Sequence, residues 1–290
     1  MHRLFAVLAV LALAGCVRQP AAAPPSVSLS KYTVLPGDVF TVTVMAGTRP
    51  VSGVQTWLAG HAPVFFPAGD ARWALVGVNY RITAGSYDLP VLVEHGGGRG
   101  LVFVRLHVEP RGFHTQLLRP TAQQASVLTN ENIVRDRAKQ IAARQNPTPA
   151  ALWDGPLLQP AEGRLTTGYG WIRFIEGRGE SSRHSGLDIA GPTGTRISAA
   201  AAGKVVLADS LHLGGNTVTI DHGLNLFTSY LHLHRLSVKA GDMVSRGQQV
   251  GTMGSTGFST GPHLHWTVSI GSLPVDPLPL MEEEPPRPGK

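Results

Sequence analysis

Two stretches of the chain alternate between apolar and polar positions, and a helical pattern separates them. Successive side chains of a β-strand point to opposite faces, so this alternation, in short runs between Gly, Pro and Asp residues, predicts antiparallel strands. In residues 29–110 the clearest runs are 39–44, 73–78, 87–93 and 101–108. Their spacing predicts an N-terminal β-sandwich of the immunoglobulin-like kind.

The second β-rich stretch, residues 157–280, has Gly-rich turns and almost no helical pattern. Its main runs are 204–208, 216–220, 226–231 and 264–269. Many short strands without helices predict an all-β domain of packed antiparallel sheets. The fold class of the whole chain is therefore predicted to be mainly β.

Residues 111–156 are predicted to form a helical linker between the two β domains. Thr129 or Asn130 can cap a helix that ends before Pro147. Its apolar positions recur at helical spacing: Ile133, Val134, Ala138, Ile141 and Ala142. The charged positions are most simply a solvated surface: Arg135, Asp136, Arg137 and Lys139. Whether this segment lies over a cleft of the second domain stays open.

The N-terminus has the pattern of an export signal. Arg3 precedes an uncharged run over residues 4–14, which is too short to span a bilayer as a permanent helix. The residues LAGC at 13–16 resemble the bacterial lipobox, in which the cysteine carries lipid and begins the mature chain. We therefore expect Cys16 to be the lipidation site; an ordinary cleaved signal is the alternative.

Three short segments complete the predicted organisation. Residues 1–15 are the lipoprotein signal peptide, and the Ala- and Pro-rich residues 16–28 are a flexible tether. Residues 281–290 are a disordered tail. The residue after the cysteine is Val17 and not Asp, which by resemblance to Gram-negative lipoproteins places the protein in the outer membrane, facing the periplasm, if the organism is Gram-negative.

Composition narrows the possible chemistry. The chain has 290 residues with one Cys and twelve His, which excludes a disulfide framework within the chain, an iron–sulfur cluster and a Cys-rich zinc finger. A metal would therefore be bound mostly by His, Asp and Glu. The net charge of +6 favours anionic surroundings. Because no nucleic-acid motif or Lys/Arg run is present, the cell envelope is the predicted location and nucleic acid is not a predicted partner.

The histidines are concentrated near the C-terminus, with seven of the twelve between residues 184 and 265. Two pairings have spacings that suit a metal: His184 with Asp188, and His263 with His265. Residues two apart on a strand point to the same face, so His263 and His265 are predicted to face one cleft. Spacing alone is weak support, because chance produces His-x-His pairs in a chain with this many histidines.

Longer blocks around these pairs resemble the lysostaphin-type peptidoglycan zinc endopeptidases. Three blocks carry the resemblance: RHSGLDIA at 183–190, SYLHL at 229–233 and GPHLHW at 261–266. Further matches lie between them in the same order, including AAGKV at 201–205 and DHG at 221–223. The resemblance covers about 120 residues of the chain.

The resemblance implies a role for each residue of this chain that matches a functional position of the family motif. His184, Asp188 and His265 would be the ligands of one Zn²⁺ per chain. His232 and His263 would be catalytic histidines that do not bind the metal. Three protein ligands leave a fourth tetrahedral position for water, which a catalytic zinc site requires. A zinc-bound water would be the nucleophile, one histidine would move its proton, and the other would hold the oxyanion or the water.

Two further residues are weaker candidates for substrate binding or for contacts behind the ligands. Asn216 could donate a hydrogen bond near the cleft, although a turn role is as plausible from the sequence. Tyr169 occupies a position where relatives have an aromatic residue, and core packing is the favoured interpretation. The charged loop at 171–183 could recognise carboxylates of the wall peptide or could be a solvated hairpin tip.

These observations predict a zinc metalloendopeptidase, a hydrolase that cuts peptide bonds in peptidoglycan stem peptides or cross-links. Its predicted partners are peptidoglycan and, through a lipid anchor, a membrane; a protein partner of the N-terminal domain is unknown. The alternative is a non-catalytic envelope lipoprotein that activates or regulates another cell-wall hydrolase. All five positions of the motif are intact, which favours the enzyme.

Overall fold

The computed structural model describes residues 23–47, 50–96, 98–176 and 179–289. The signal peptide and Cys16 lie outside the described residues. Strands dominate the described part of the chain, and the prediction of a mainly β fold is confirmed. No helix in this part of the chain is long and apolar enough to cross a membrane.

The N-terminal half consists of two four-stranded sheets that pack face to face. The strands are β1 (Ser26–Leu29), β2 (Thr33–Val34), β3 (Val39–Met45), β4 (Val51–Thr56), β5 (Phe66–Ala68), β6 (Ala71–Gly77), β7 (Gly85–His95) and β8 (Gly98–Val108). One sheet has the order β1-β3-β6-β5 and the other the order β2-β8-β7-β4. On β7, Leu89, Val91 and Val93 are buried and alternate with more exposed neighbours, which places one face of the strand in the core.

The first strand begins earlier than the sequence pattern predicts. β1 starts at Ser26 and pairs with β3 through Met45, so the last residues of the predicted tether, 16–28, are part of a sheet. The sequence pattern did not predict this edge strand, because two of its four residues are Ser and only Leu29 is buried.

The connection between the halves is not purely helical. It contains the strand β9 (Thr115–Leu118) and the helices α1 (Ala122–Val127) and α2 (Asn130–Ala143), with Thr129 as the N-cap of α2. The prediction of a helical linker over residues 111–156 is corrected at β9, which pairs in parallel with a strand of the C-terminal half. Its sequence, TQLL, is too short for periodicity to reveal it.

The C-terminal half is built on one large, mostly antiparallel sheet. Its elements are β10 (Arg164–Thr167), β11 (Ile172–Ile175), β12 (Gly179–Arg183), β13 (Leu187–Ala190), β14 (Arg196–Ser198), β15 (Gly203–Leu211), β16 (Gly215–Asp221), β17 (Leu226–Leu236), β18 (Met243–Val244), β19 (Gln249–Met253), β20 (His263–Ile270), β21 (Leu273–Val275) and α3 (Pro277–Glu282). The main path has the order β10-β13-β20-β17-β16-β15-β18. A separate small sheet has the order β12-β11-β9.

The described residues form two hydrophobic cores, and the larger one contains residues from both halves of the chain. Alternate residues of β6 divide between two cores: Val76 packs inside the sandwich, whereas Trp73 and Leu75 pack with the core of the C-terminal half. A Cβ on Gly77 would lie 2.8 Å from Cγ1 of Val275, so the two halves approach closely there. The halves are therefore packed against each other through apolar side chains.

The end of the chain is held by Trp153 and does not form the disordered tail predicted for residues 281–290. The Trp153 indole Nε1 donates to the carbonyl of Pro285 at 3.0 Å, and Arg287 donates to the carbonyl of Trp153 at 3.0 Å. Pro285 is itself buried.

Candidate metal centre and cleft

Two neighbouring strands bring the candidate ligands together. Asp188 on β13 lies directly opposite His265 on β20, and His263 lies opposite Ala190 two residues along the same ladder. His184 precedes β13, four residues before Asp188, and a turn at Gly186 lets both side chains reach one point. A Cβ on Gly186 would lie 2.0 Å from the carbonyl oxygen of Trp266, so only glycine fits at this turn.

Three donor atoms converge in a small triangle. Nε2 of His184 lies 2.8 Å from Oδ1 of Asp188 and 2.9 Å from Nδ1 of His265, and the latter two atoms are 2.8 Å apart. All three side chains are buried. Among the described residues these three form the one His/Cys/Asp/Glu group with metal-binding geometry.

The hydrogen bonds behind the ligands determine which atoms face the triangle. Nδ1 of His184 donates to the carbonyl of Gly168 at 2.7 Å, so Nε2 of a neutral imidazole carries its lone pair. Nε2 of His265 lies 3.1 Å from Oγ of Ser185 and 3.0 Å from Oγ1 of Thr267, either of which can accept its proton. Two lone pairs and a carboxylate oxygen then face one another, an arrangement that a cation stabilises.

The donor set fits zinc. Imidazole nitrogen and carboxylate oxygen are ordinary zinc ligands, and ligand atoms of a tetrahedral zinc ion are about 3.3 Å apart. The observed separations of 2.8–2.9 Å require an expansion of only about 0.5 Å to reach that value.

Arg173 on β11 lies behind the carboxylate. Its Nη2 donates to Oδ2 of Asp188 at 2.9 Å, which leaves Oδ1 facing the two histidines. Burial lowers the pKa of Arg173, and the charge of Asp188 acts in the opposite direction. The ion pair therefore orients the carboxylate and offsets part of its charge. Arg173 was predicted to lie in a charged loop, and its contact with Asp188 was not predicted, because a partner 15 positions away gives no local sequence signal.

His232 reaches the cleft through an irregularity of β17. The pairing between β16 and β17 shifts between Asn216 and Val218, so β17 has an extra residue at this point. His232 has a φ of 64°, a left-handed conformation that is uncommon for a non-glycine residue and frequent at functional sites. Its Nδ1 donates to the carbonyl of Thr256 at 2.8 Å, which leaves Nε2 as the free acceptor.

His263 completes the cluster from β20. Its Nδ1 donates to the carbonyl of Gly261 at 2.8 Å, and its Nε2 lies 3.9 Å from Oδ1 of Asp188. The ring centroids of His232 and His263 are 4.8 Å apart. The structure thus brings together all five side chains that the sequence motif predicts.

Burial controls the protonation of these histidines. It lowers the pKa of His184 to about 4 and that of His232 to about 3, and it also lowers the pKa of His263. All three are therefore neutral at pH 7, which is the form that binds metals and accepts protons.

The two weaker candidates do not reach the cluster. The Tyr169 hydroxyl donates to the carbonyl of Pro274 at 2.9 Å, and its buried ring packs against Tyr80 and Phe113, which is a core position. The Asn216 side chain donates to the carbonyl of His234 at 3.2 Å, and its backbone N–H donates to Oγ1 of Thr256. Asn216 thus supports the loop that contacts His232.

Other histidines of the C-terminal half have structural surroundings. His222 is fully buried, with Nδ1 2.8 Å from the carbonyl of Ala202 and Nε2 2.7 Å from Oγ1 of Thr228. His212 pairs with Asp136 of α2, and His234 is exposed.

Two adjoining cavities open on either side of the histidines. One, of about 340 Å³, is lined by Asp188, His263 and the loop before β20. The other, of about 630 Å³, lies between α2 and the β11–β12 hairpin. Five residues line both cavities: Leu118, Arg173, His232, Phe258 and His265. The cavities therefore form one cleft that passes the metal-binding group.

The fold and the donor set indicate the class of protein. A β domain with a His–Asp–His metal-binding group beside two further imidazoles is typical of a zinc metallopeptidase. Residues 182–277 match peptidase family M23, and this segment contains all five side chains. The C-terminal half thus contains a peptidase M23 domain, as the motif resemblance predicted, and its His–Asp–His group fits the zinc of that family.

The named relatives match about a third of the chain. The chain is 43% identical over 95 residues to the peptidoglycan DD-endopeptidase ShyA of Vibrio cholerae, covering 33% of this chain and 22% of that protein. It is 41% identical over 95 residues to the DD-carboxypeptidase/endopeptidase Mpg of Neisseria meningitidis, again covering 33% of this chain and 22% of the relative. The chain therefore spans about a fifth of the length of these relatives.

One solved structure resembles both halves. A crystal structure of a Pseudomonas aeruginosa protein, described as a candidate M23 peptidase, is 28% identical and has a TM-score of 0.60. The match covers 85% of this chain and 94% of that one. The arrangement of an N-terminal β domain packed on an M23 domain thus also occurs in that protein.

Proposed function

We propose that this protein is a zinc-dependent endopeptidase that hydrolyses peptide bonds in peptidoglycan stem peptides or cross-links. The observation that carries the proposal is the convergence of His184, Asp188 and His265 on one point beside His232 and His263, whose free nitrogens face the same cleft. The names of the relatives support the substrate class, since ShyA is described as a peptidoglycan DD-endopeptidase and Mpg as a DD-carboxypeptidase/endopeptidase.

In this proposal His184, Asp188 and His265 hold the zinc ion through Nε2, Oδ1 and Nδ1. When bound, zinc lowers the pKa of a coordinated water and polarises the carbonyl of the scissile bond. Arg173 keeps Oδ2 of Asp188 turned away from the metal position, and the carbonyl of Gly168 fixes the ring of His184. These contacts orient the ligands before any substrate arrives.

In this proposal His232 and His263 act on the attacking water and on the proton that it loses. Each has its Nδ1 proton bound to a backbone carbonyl, so each presents Nε2 to the cleft as an acceptor in the neutral form. One of them accepts the proton of the attacking water and returns it to the leaving amine. The other, whose Nε2 is likewise an acceptor, would hold the attacking water in place by a hydrogen bond. Separate substitution of the two residues assigns these roles.

The proposed location is the cell envelope. Lipidation at Cys16 would anchor the chain to a membrane, and the net charge of +6 suits a position beside an anionic wall polymer. In a Gram-negative organism Val17 after the cysteine favours the outer membrane, with the enzyme facing the periplasm.

The proposal is tested on the purified full chain, because the shared core makes an isolated C-terminal half a poor substitute. We expect about one zinc ion per chain by elemental analysis and release of soluble muropeptides from isolated sacculi. His265→Ala should lose both the zinc and the cleavage, because it removes one of three protein ligands.

The matched control is His234→Ala, which removes an exposed imidazole 31 positions earlier and should keep both properties. A folded wild-type chain that binds no zinc contradicts the metal site. A chain that binds zinc but leaves sacculi intact contradicts the enzyme and favours the alternative, a regulator of another wall hydrolase.

A further inference from the structure

The larger cavity beside the metal-binding group is walled by the connection between the two halves. Residues Asn130, Ile133, Arg137 and Gln140 of α2 line it, at spacings of three and four that place them on one helix face. The opposite wall includes Ile175 of β11, and the floor reaches His232 and His265. The cavity is therefore continuous with the proposed catalytic centre.

The position of α2 is held by a buried carboxylate. Asp136 is 5% exposed and accepts from the backbone N–H groups of His212, Leu213 and Gly214. Asp136 and Arg137 both line the cavity, Asp136 buried against the loop at 212–214 and Arg137 exposed. The contacts of Asp136 thus hold the turn of α2 that carries Arg137.

Positive side chains outnumber negative ones among the described residues that line the cavity. Three are arginines: Arg137, Arg173 and Arg183. Arg173 is paired with Asp188, and the Arg183 guanidinium lies 5.2 Å from the ring centroid of Phe113. Among the lining residues whose side chains the structure describes, the one acid is Asp136, which accepts from backbone N–H groups. Among the residues that the structure describes, none forms an ion pair with Arg137, so its charge is available to a ligand.

We propose that this cavity is the subsite for a carboxylate-bearing residue of the peptide substrate and that Arg137 binds that carboxylate. The inference rests on the proposed function, since it names the part of the peptide that lies beside the metal centre. Peptidoglycan stem peptides carry free carboxylates close to their amide bonds, and a planar guanidinium matches a carboxylate with two parallel hydrogen bonds. Apolar neighbours such as Ile133 and Phe258 suit the short aliphatic parts of such a peptide.

The test compares binding of two probes to the full chain in EDTA, so that hydrolysis does not occur. The probes are a stem tetrapeptide with free carboxylates and the same tetrapeptide with its carboxylates amidated, both titrated by calorimetry. We expect the acid form to bind about fivefold more tightly, the upper range for an ion pair with an exposed side chain. Arg137→Gln should remove this difference.

Arg135→Gln is the matched control, because Arg135 lies on the same helix but is paired with Glu131 on the solvent side. It should keep the wild-type preference for the acid form. Equal binding of the two probes to the wild type, no binding of either at millimolar concentration, or an unchanged preference in Arg137→Gln overturns the subsite. Cleavage of sacculi is measured separately with zinc, so failure of the enzymatic proposal and failure of the subsite are distinguishable.

Discussion

At the scale of single residues, functional side chains were predicted where they lie in local motifs. They were not predicted where their role depends on contacts between residues far apart in the sequence. The shared face of His263 and His265 was predicted from their spacing on a strand, whereas Asp188 was named by the motif resemblance; the structure places Asp188 on β13 opposite His265 on β20. The left-handed backbone of His232 has no sequence signal, since it arises from the bulge against β16. Arg173 was likewise visible only as a charge until β11 brought it to Asp188.

His222 supplies a pH-dependent contribution to stability at a distance from the metal-binding group. Burial lowers its pKa to about 4, below the value of about 6.5 in an unfolded chain. The unfolded state therefore takes up a proton first as the pH falls, and stability is lost between about pH 6.5 and 4. Between pH 7 and 5 this one residue should lower the free energy of unfolding by about 2 kcal/mol.

Urea unfolding at both pH values checks this expectation. His222→Gln should be less stable than the wild type at pH 7 but should lose about 2 kcal/mol less on going to pH 5. His234→Gln, which replaces an exposed imidazole, should keep the wild-type pH dependence. If all three chains lose the same free energy over this interval, His222 is not the group responsible.

At the scale of elements, α2 shows why an amphipathic pattern can mislead. The helix was predicted from its apolar positions, but Val134 is 65% exposed and the buried residue is Asp136. The charged face was expected to be solvated. Its carboxylate is instead compensated by three backbone N–H groups of the loop at 212–214, which makes burial of a charge tolerable.

Asp136→Ala should therefore cost far more than a surface change. Removing the carboxylate leaves buried N–H groups without an acceptor, and we expect a loss of about 3 kcal/mol in the free energy of unfolding. Glu131→Ala, at an exposed position of the same helix, should change it by less than about 1 kcal/mol. Urea unfolding measures both, and hydrogen exchange of α2 should increase only in the Asp136 variant. Similar small losses in both variants would show that α2 is not held by this contact.

At the scale of the whole molecule, the two halves share a core that the alternating pattern did not predict. The run at 73–78 was interpreted as alternating, but its residues 73–77, WALVG in β6, are continuously apolar, which is typical of a strand buried on both faces. Leu75 contacts the C-terminal core, whereas Val76 contacts the sandwich. The N-terminal half is therefore part of the scaffold of the M23 domain and not an independent appendage.

A substitution in the first half should consequently destabilise the second. Trp73→Ala empties a buried site between the halves, and we expect it to lower the free energy of unfolding by about 3–5 kcal/mol. Calorimetry of the wild type should show a single transition, which Trp73→Ala shifts as a whole. Phe103→Ala, at a position 61% exposed on the outer face of the sandwich, should shift it little. Two separate transitions, with the upper one unchanged in Trp73→Ala, would mean that the halves unfold independently.

Sequence alone determined the mainly β class of structure and predicted the candidate reacting groups. Period-two runs indicate strands, because successive side chains of a strand point to opposite faces. The three motif blocks name the candidate ligands through their resemblance to a known family. Only the tertiary structure decided how the groups are oriented and enclosed. Parallel pairing of β9, the position of α2 over the cleft and the ion pair of Arg173 all join residues far apart in the chain, and such contacts depend on packing that no local pattern encodes.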